Sequence, residues 1–282
     1  MTITQTYAHA IGLFAEHAKA AYPEEACGLI LTTGEFVPLT NVAQDKRREF
    51  AARPEDVLPF AGRIAAKVHS HVCDPYSPTA ADMAAQMQDD VPWGIVVVGP
   101  AGGFGEEAIY RTSIAQELLA GRITLEDELV EKAKAEIVAL EPFFWGDQLP
   151  RAPFEGRRFI HGVHDCYSLI RDWYLVERNV RLPDFPRDEG WWKAGKDLYR
   201  ENFRTAGFQA VDQDAPGFKP AVGDVLLYQI DSDGQRRPCP PHHGGIYIGN
   251  GRVLHHLAGC ASNKLGVHRW WKNVTHVLRR PE

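Results

Sequence analysis

Gly162-Val163-His164-Asp165-Cys166-Tyr167-Ser168-Leu169-Ile170-Arg171-Asp172-Trp173-Tyr174 sets one cysteine directly behind a carboxylate and ahead of apolar residues at helical spacing. Counting from Cys166, apolar side chains return at Leu169, Ile170, Trp173 and Tyr174, one face of a helix. Asp165 is a good N-cap, which puts Cys166 in the first helical turn. There the unpaired backbone N–H groups and the macrodipole favour thiolate over thiol, the usual setting of a cysteine nucleophile. The same position also suits a cysteine that merely packs, because Cys166 lies on the apolar stripe. Histidines far downstream decide between the two.

Outward from this helix, residues 184–193 are rich in proline and charge and carry Trp191-Trp192, a loop able to wall a groove. Leu198–Gly207 predicts a helix ending at glycine, and Gly223–Tyr228 a strand. His243–Ile248 and Arg252–His255 flank Gly249-Asn250-Gly251, a strong hairpin signal, and Trp270–Leu278 supplies a last strand. A cysteine on a helix start, a histidine on a strand and another histidine on the next strand follow the logic of thiol peptidases. His243 would take the proton of Cys166, and a later histidine would hold the imidazole in orientation. A two-residue Asn250-Gly251 turn puts His256 on the face of His243, whereas a three-residue loop with a bulge shifts the register and selects His255. The residues alone leave both registers open. They also leave a plainer reading, in which His242, His243, His255 and His256 form a metal site or a polar edge.

This region resembles the NlpC family of cell-wall cysteine peptidases. The shared pattern is Asp165-Cys166-x-Ser168-Leu169 on a helix, Gly223-Asp224 opening a strand that ends at Tyr228, His243-x-Gly245-Ile246-Tyr247-Ile248-Gly249-Asn250, and a polar residue twelve after His243. The resemblance spans about Phe154–Leu278 and implies a papain-like α+β domain over 153–282. It implies Cys166 as nucleophile, His243 as base and His255 as the third residue, with His256 as runner-up. The implied substrate is the peptide stem of peptidoglycan, typically at the D-γ-glutamyl–diaminopimelate amide. Tyr167 stands where Ser-Gly is common, and Asp231–Pro241 is an insertion before His243.

In the first half, Ile3, Tyr7, Ile11, Phe14 and Ala18 predict a helix over about Thr4–Ala21, stopped by Pro23. Gly28–Leu31 and Phe36–Leu39 read as strands joined at Gly34, and Pro54–Arg63 as a second helix. Ala66-Lys67-Val68-His69-Ser70-His71 then reads as a strand, in which His69 and His71 share a face. With Asp82 from the helix Thr79–Gln88 they make two imidazoles and a carboxylate, the donor set of a catalytic Zn²⁺ site with an open position. Thr79-x-x-Asp82 is equally a helix-start signature. Trp93–Gly99 and Ala108–Arg111 read as closing strands.

Glu25-Ala26-Cys27-Gly28 upstream, His69-x-His71, seven residues, then Thr79-x-x-Asp82 resembles the JAMM/MPN metallopeptidases. The resemblance implies a JAMM/MPN-like, cytidine-deaminase-like α/β domain over 1–112, with zinc held by His69, His71 and Asp82. Glu25 would move the proton of the nucleophilic water, and Thr79 would stand in for the serine that donates to the oxyanion. Thr79 replaces that serine, and Val72 replaces a proline common after the second histidine.

Between the halves, Leu125, Leu129, Ala133, Ile137 and Leu140 predict an amphipathic connector helix. Pro142, Gly146, Pro150 and Pro153 mark a linker, giving a segment 113–152. Phe143-Phe144-Trp145 within it is too apolar for a free tether and should dock on a domain or partner.

Composition fits this two-domain scheme: 282 residues, 44% hydrophobic, 24% charged. A net charge of −6 without a basic stripe argues against nucleic acid. Cys27, Cys73, Cys166, Cys239 and Cys260 are odd in number and form no C-x-x-C, which suits reduced thiols. Met1–Ala10 has neither basic segment nor apolar stretch, and Ile95–Val98 is too short to cross a bilayer. The expectation is a protein made in the cytoplasm without a signal peptide and without membrane insertion. The two resemblances in this order are similar to tail-tip proteins of lambda-like siphophages. That implies transport in the virion tail tip, action at the host periplasm and wall, and other tail-tip or hub proteins as partners beside peptidoglycan. The alternatives are a mainly structural tail-tip component and a cytosolic JAMM-type enzyme processing a ubiquitin-like sulfur carrier.

Overall fold

The computed structural model describes residues 2–73, 75–100, 137–230 and 239–281. They form two compact units, Met1–Ser77 with Ala85–Pro150 and Pro78–Ala84 with Arg151–Glu282. The predicted strand at Ala108–Arg111 and the connector helix up to residue 136 lie outside the described residues. Among the described residues no helix is long and apolar enough to cross a membrane.

The first unit is a mixed sheet with helix on one face. The predicted first helix is two pieces, α1 (Ile3–Thr6) and α2 (Ala8–Ala21). Thr2 caps α1 in a reciprocal box with Gln5. The sheet runs β2-β1-β3-β4-β5, built from β1 (Cys27–Leu31), β2 (Phe36–Leu39), β3 (Ile64–Val72), β4 (Trp93–Pro100) and β5 (Ile137–Ala139). Among the described residues only β3 and β4 pair in parallel. The helix expected over Pro54–Arg63 is a single turn, α3 (Pro54–Val57), followed by a 3₁₀ turn. Ala10, Ile11, Phe14 and Ala18 of α2 pack on Ala26, Ile30, Ala66, Val68, Val96 and Val98. Because strand side chains alternate, that arrangement sends Cys27, His69 and His71 to the opposite face.

The connector reading is corrected at one place. Ile137–Ala139 is strand, not helix, and within the linker the apolar Phe143–Trp145, expected to dock, does so as a strand, β6. Both run antiparallel along β4, pairing Val98 with Ala139 and Trp93 with Trp145. The reason is backbone demand: an unpaired edge of the buried β4 needs partners for its N–H and C=O groups. Ile137 and Ala139 turn toward the α2 core while Val138 faces solvent, a period of two hidden inside an apparent period of three to four.

The second unit is an antiparallel sheet in the order β11-β10-β9-β8-β12-β7. Its strands are β7 (Gln209–Val211), β8 (Val225–Tyr228), β9 (His243–Tyr247), β10 (Arg252–His255), β11 (Asn263–Gly266) and β12 (Val274–Arg279). After α4 (Ala80–Gln86) in chain order, its helices are α5 (Cys166–Arg178) and α6 (Leu198–Asn202). Leu169, Ile170, Trp173 and Tyr174 of α5 pack against Val225, Leu227, Ile246, Leu254 and Leu278. Full burial of a leucine or isoleucine side chain is worth ~1.5–3 kcal/mol, so this stripe fixes the helix on the sheet. Buried Asp224 accepts two hydrogen bonds from Arg279, each 2.7 Å, and Tyr174 donates to the Gly223 carbonyl at 2.6 Å. These bonds tie the start of β8 to both β12 and α5.

Candidate active site and metal group

Asp165 caps α5 as the sequence demands. Its Oδ1 accepts from the Ser168 N–H at 2.9 Å, and its own N–H donates to Ser168 Oγ at 2.7 Å. Cys166 is therefore the first helical residue, half-buried, at the wall of a cavity of about 560 Å³. His243, at the start of β9, lines the same cavity, as do Tyr199, Arg187, Trp191 and Trp192. The Cys166 sulfur lies 3.2 Å from the Tyr199 hydroxyl and receives the Gly244 N–H. Among the described residues it makes no hydrogen bond to His243. A Cβ at position 244 would stand 2.7 Å from the Tyr199 hydroxyl oxygen, so glycine there leaves room for this contact.

Burial works against the expected thiolate. Burial pushes the Cys166 thiol up to about 11, and the Asp165 charge adds to the rise. Tyr199, the Gly244 N–H and Arg187 pull the other way. A helix N-terminus is worth ~0.3–1 kcal/mol, less than one pKa unit, so desolvation wins. His243 is held well below the ordinary imidazole range by burial, with His255, His242 and His256 adding, so it is a neutral base at pH 7.

The hairpin settles into the three-residue register. Tyr247 pairs with Val253, Ile246 with Leu254 and Gly245 with His255, which puts His255 on the face of His243. Their rings meet edge-on at 5.6 Å. His255 does not line the cavity; its Nε2 faces Asn263 Oδ1 at 3.1 Å. The Asn263 amide nitrogen donates to the Ala261 carbonyl, which turns its oxygen toward His255 and places the proton on His255 Nε2. Trp270 stands edge-on to both rings. His256 points to the other side, lining the cavity against the edge of Phe159 at 5.2 Å.

In the other sheet, His69 and His71 converge. Their Nε2 atoms are 3.2 Å apart, and His71 Nδ1 faces the Pro75 carbonyl at 2.9 Å. A backbone carbonyl only accepts, so His71 carries its proton on Nδ1 and presents a bare Nε2. One ligand atom each from His69, His71 and Asp82, all buried, lies within 4.8 Å of the others. Phe50 stacks on the His69 ring at 4.1 Å. Cys27 is the register partner of His69, the Ser70 N–H donates to the Ala26 carbonyl and the Ala26 N–H to Ser70 Oγ, and buried Glu25 lies just before β1. Thr79 and Asp82 form the reciprocal helix-start box: the Thr79 N–H and hydroxyl donate to Asp82 Oδ2 at 2.8 and 2.7 Å. The hydroxyl expected to face an oxyanion is therefore engaged with Asp82.

Sequence reasoning missed Tyr199, Arg187 and Asn263. Tyr199 sits on a one-turn helix with no local motif, and Arg187 reveals its role only through its buried pairing with Asp165. Asn263 had a usable signal, because a polar residue across from a candidate histidine on an adjacent strand is the natural anchor for its ring.

Residues 141–280 match the model of the NlpC/P60 family, which with the helix-borne cysteine and strand-borne histidine defines a cysteine-peptidase domain of that type. The chain is 31% identical over 229 residues to Tail tip assembly protein K of Escherichia phage lambda, covering 80% of this chain and 87% of that one. It is 24% identical over 271 residues to Tail tip assembly protein K of Escherichia phage N15, covering 94% and 90%. The chain belongs to this family of lambda-like tail tip proteins bearing an NlpC domain. A solved protein from Desulfitobacterium hafniense aligns at 23% identity and a TM-score of 0.27 over 32% of this chain and 70% of that one.

Proposed function

We propose that this protein is a phage tail-tip peptidase that cleaves peptide stems of peptidoglycan, at the D-γ-glutamyl–diaminopimelate type of amide, through Cys166, His243 and His255. The observation that carries the reading is that Cys166 and His243, from separate elements, line one cavity inside an NlpC/P60 domain. With substrate in place His243 takes the thiol proton and the sulfur bonds to the amide carbonyl carbon. Tyr199 and the Gly244 N–H steady the negative sulfur. The C–N bond then breaks as His243 returns the proton to the leaving amine, leaving a thioester. Water, deprotonated by His243, cleaves the thioester to a carboxylate and restores the thiol. His255, anchored on Asn263, orients the base from behind. Wild type should release stem fragments from purified peptidoglycan and Cys166→Ala should not; an inert wild type removes the substrate claim.

For residues 1–112 we propose a JAMM/MPN-like domain with a Zn²⁺ site at His69, His71 and Asp82. Two imidazole Nε2 atoms 3.2 Å apart, one of them bare, beside a buried carboxylate make a donor set suited to zinc. When bound, the ion supplies Lewis-acid polarisation. Glu25, buried just before the strand that pairs with His69, is the proposed proton carrier, and Thr79 acts by holding Asp82. Whether this site cleaves a second amide or serves tail assembly, the word "assembly" in the relatives' names favours other tail-tip proteins as partners. The tail tip of the virion is accordingly the proposed location.

A further inference from the structure

The cap of α5 poses an electrostatic problem: the carboxylate that starts the helix is adjacent to the sulfur that must become negative. Asp165 is buried and held far below the usual carboxylate range, so its charge is permanent. Arg187, itself 5% exposed, answers it from the 184–188 loop. Its Nε donates to Asp165 Oδ2 at 2.8 Å and its Nη2 to Asp165 Oδ1 at 3.1 Å. Its Nη1 donates to Asp184 Oδ1 and to the Phe185 carbonyl, each at 2.8 Å. A single guanidinium is thus clamped on the cap while its charge reaches the cavity that Cys166 faces.

We propose that Arg187 is a positioning residue for catalysis, whose buried charge cancels that of Asp165 so that Cys166 can ionise beside its own helix cap. The proposal rests on the reading of Cys166 as nucleophile. The cavity beside the sulfur is lined by Asp165 from the cap, Tyr167 from α5, Arg187 and Lys193 from the loop, Tyr199 from α6, and His161, His242, His243, His256 and Cys260 around it. Tyr199 is pushed well above its ordinary value by burial and by Cys166, so it stays protonated while the thiol titrates. Burial holds His161 and His243 low, so both are neutral there. Asp165 and Arg187 are the two permanent charges that act on the thiol, and they do so with opposite sign.

That opposition makes the test. The readout is the rate of Cys166 alkylation by iodoacetamide against pH, followed by mass spectrometry of the Cys166 peptide in the full chain, which needs no substrate. Arg187→Gln leaves the Asp165 charge uncompensated and should move the alkylation midpoint up by about one pH unit or more. Asp165→Asn keeps a good N-cap while removing the charge and should move it down by a similar amount. The double variant should return toward wild type. Arg187→Lys, which keeps a charge in the place of the fork, should recover part of the shift. A merely structural Arg187 would lower folding yield without opposite midpoint shifts. If Arg187→Gln fails to fold, Asp165→Asn decides alone: a downward shift supports the proposal, and an unchanged or raised midpoint overturns it. An inert wild type on peptidoglycan would sink the substrate reading and leave this result standing.

Discussion

The molecule holds two histidine pairs whose rings are almost equally spaced, 5.1 Å for His69 with His71 and 5.6 Å for His243 with His255. Their nitrogens behave oppositely. On one strand, two residues apart, the Nε2 atoms of His69 and His71 point at each other from 3.2 Å. On neighbouring strands, His243 and His255 meet edge-on, and His255 turns its Nε2 away to Asn263. Converging ring nitrogens suit a cation; a neutral imidazole backed by an anchored ring suits proton transfer. Ring proximity does not distinguish these chemistries, whereas the destination of each second nitrogen does.

The sharpest way to break the contrast is to remove each centre and watch the other. Cys166→Ala should lower muropeptide turnover at least about a thousandfold, as loss of a covalent nucleophile does, and leave zinc content untouched. His69→Ala should remove most of the zinc found by atomic emission on purified protein while muropeptide turnover persists; unchanged zinc content would end the metal proposal. Smaller effects sharpen the peptidase side. Tyr199→Phe should reduce kcat about tenfold or more with little change in KM, because it deletes a donor to the charged sulfur and keeps the ring. His255→Ala should cost more activity than His256→Ala, and the reverse order would point to the other register. The smallest effect is on stability. His243 and His256 are held below the ordinary imidazole value by burial, His256 at about 4. Below pH 6.5 the unfolded chain therefore binds more protons than the folded one, so stability should fall as pH drops from 7.5 to 5.5. His256→Gln should flatten the Tm against pH curve over that range.

The sequence signals differed in how far they could reach. The α5 helix was legible because its cap, apolar stripe and candidate nucleophile are all local. The H-x-H strand was legible because alternation needs only two residues. What escaped depends on distant chain. Phe143–Trp145 was visibly apolar, but only the open edge of β4 says that it becomes strand. Ile137–Ala139 passed for the end of a helix because its apolar residues fit both periods. Tyr199 meets Cys166 across 33 positions of chain, with no motif at either end to announce it. The desolvation of the Cys166 thiol escaped for a related reason, since a helix start is local information and burial is not.

One consequence lies in the small loop Gly249-Asn250-Gly251. All three residues sit at positive φ, 89°, 52° and 67°. Those angles hold the strands in the register that turns His255, and not its neighbour, toward His243. The histidines themselves are interchangeable in kind. In the proposed mechanism the choice of relay is made by the handedness of a bend neither one belongs to, so a mutation at Gly249 would reassign that part without touching any of the reacting atoms.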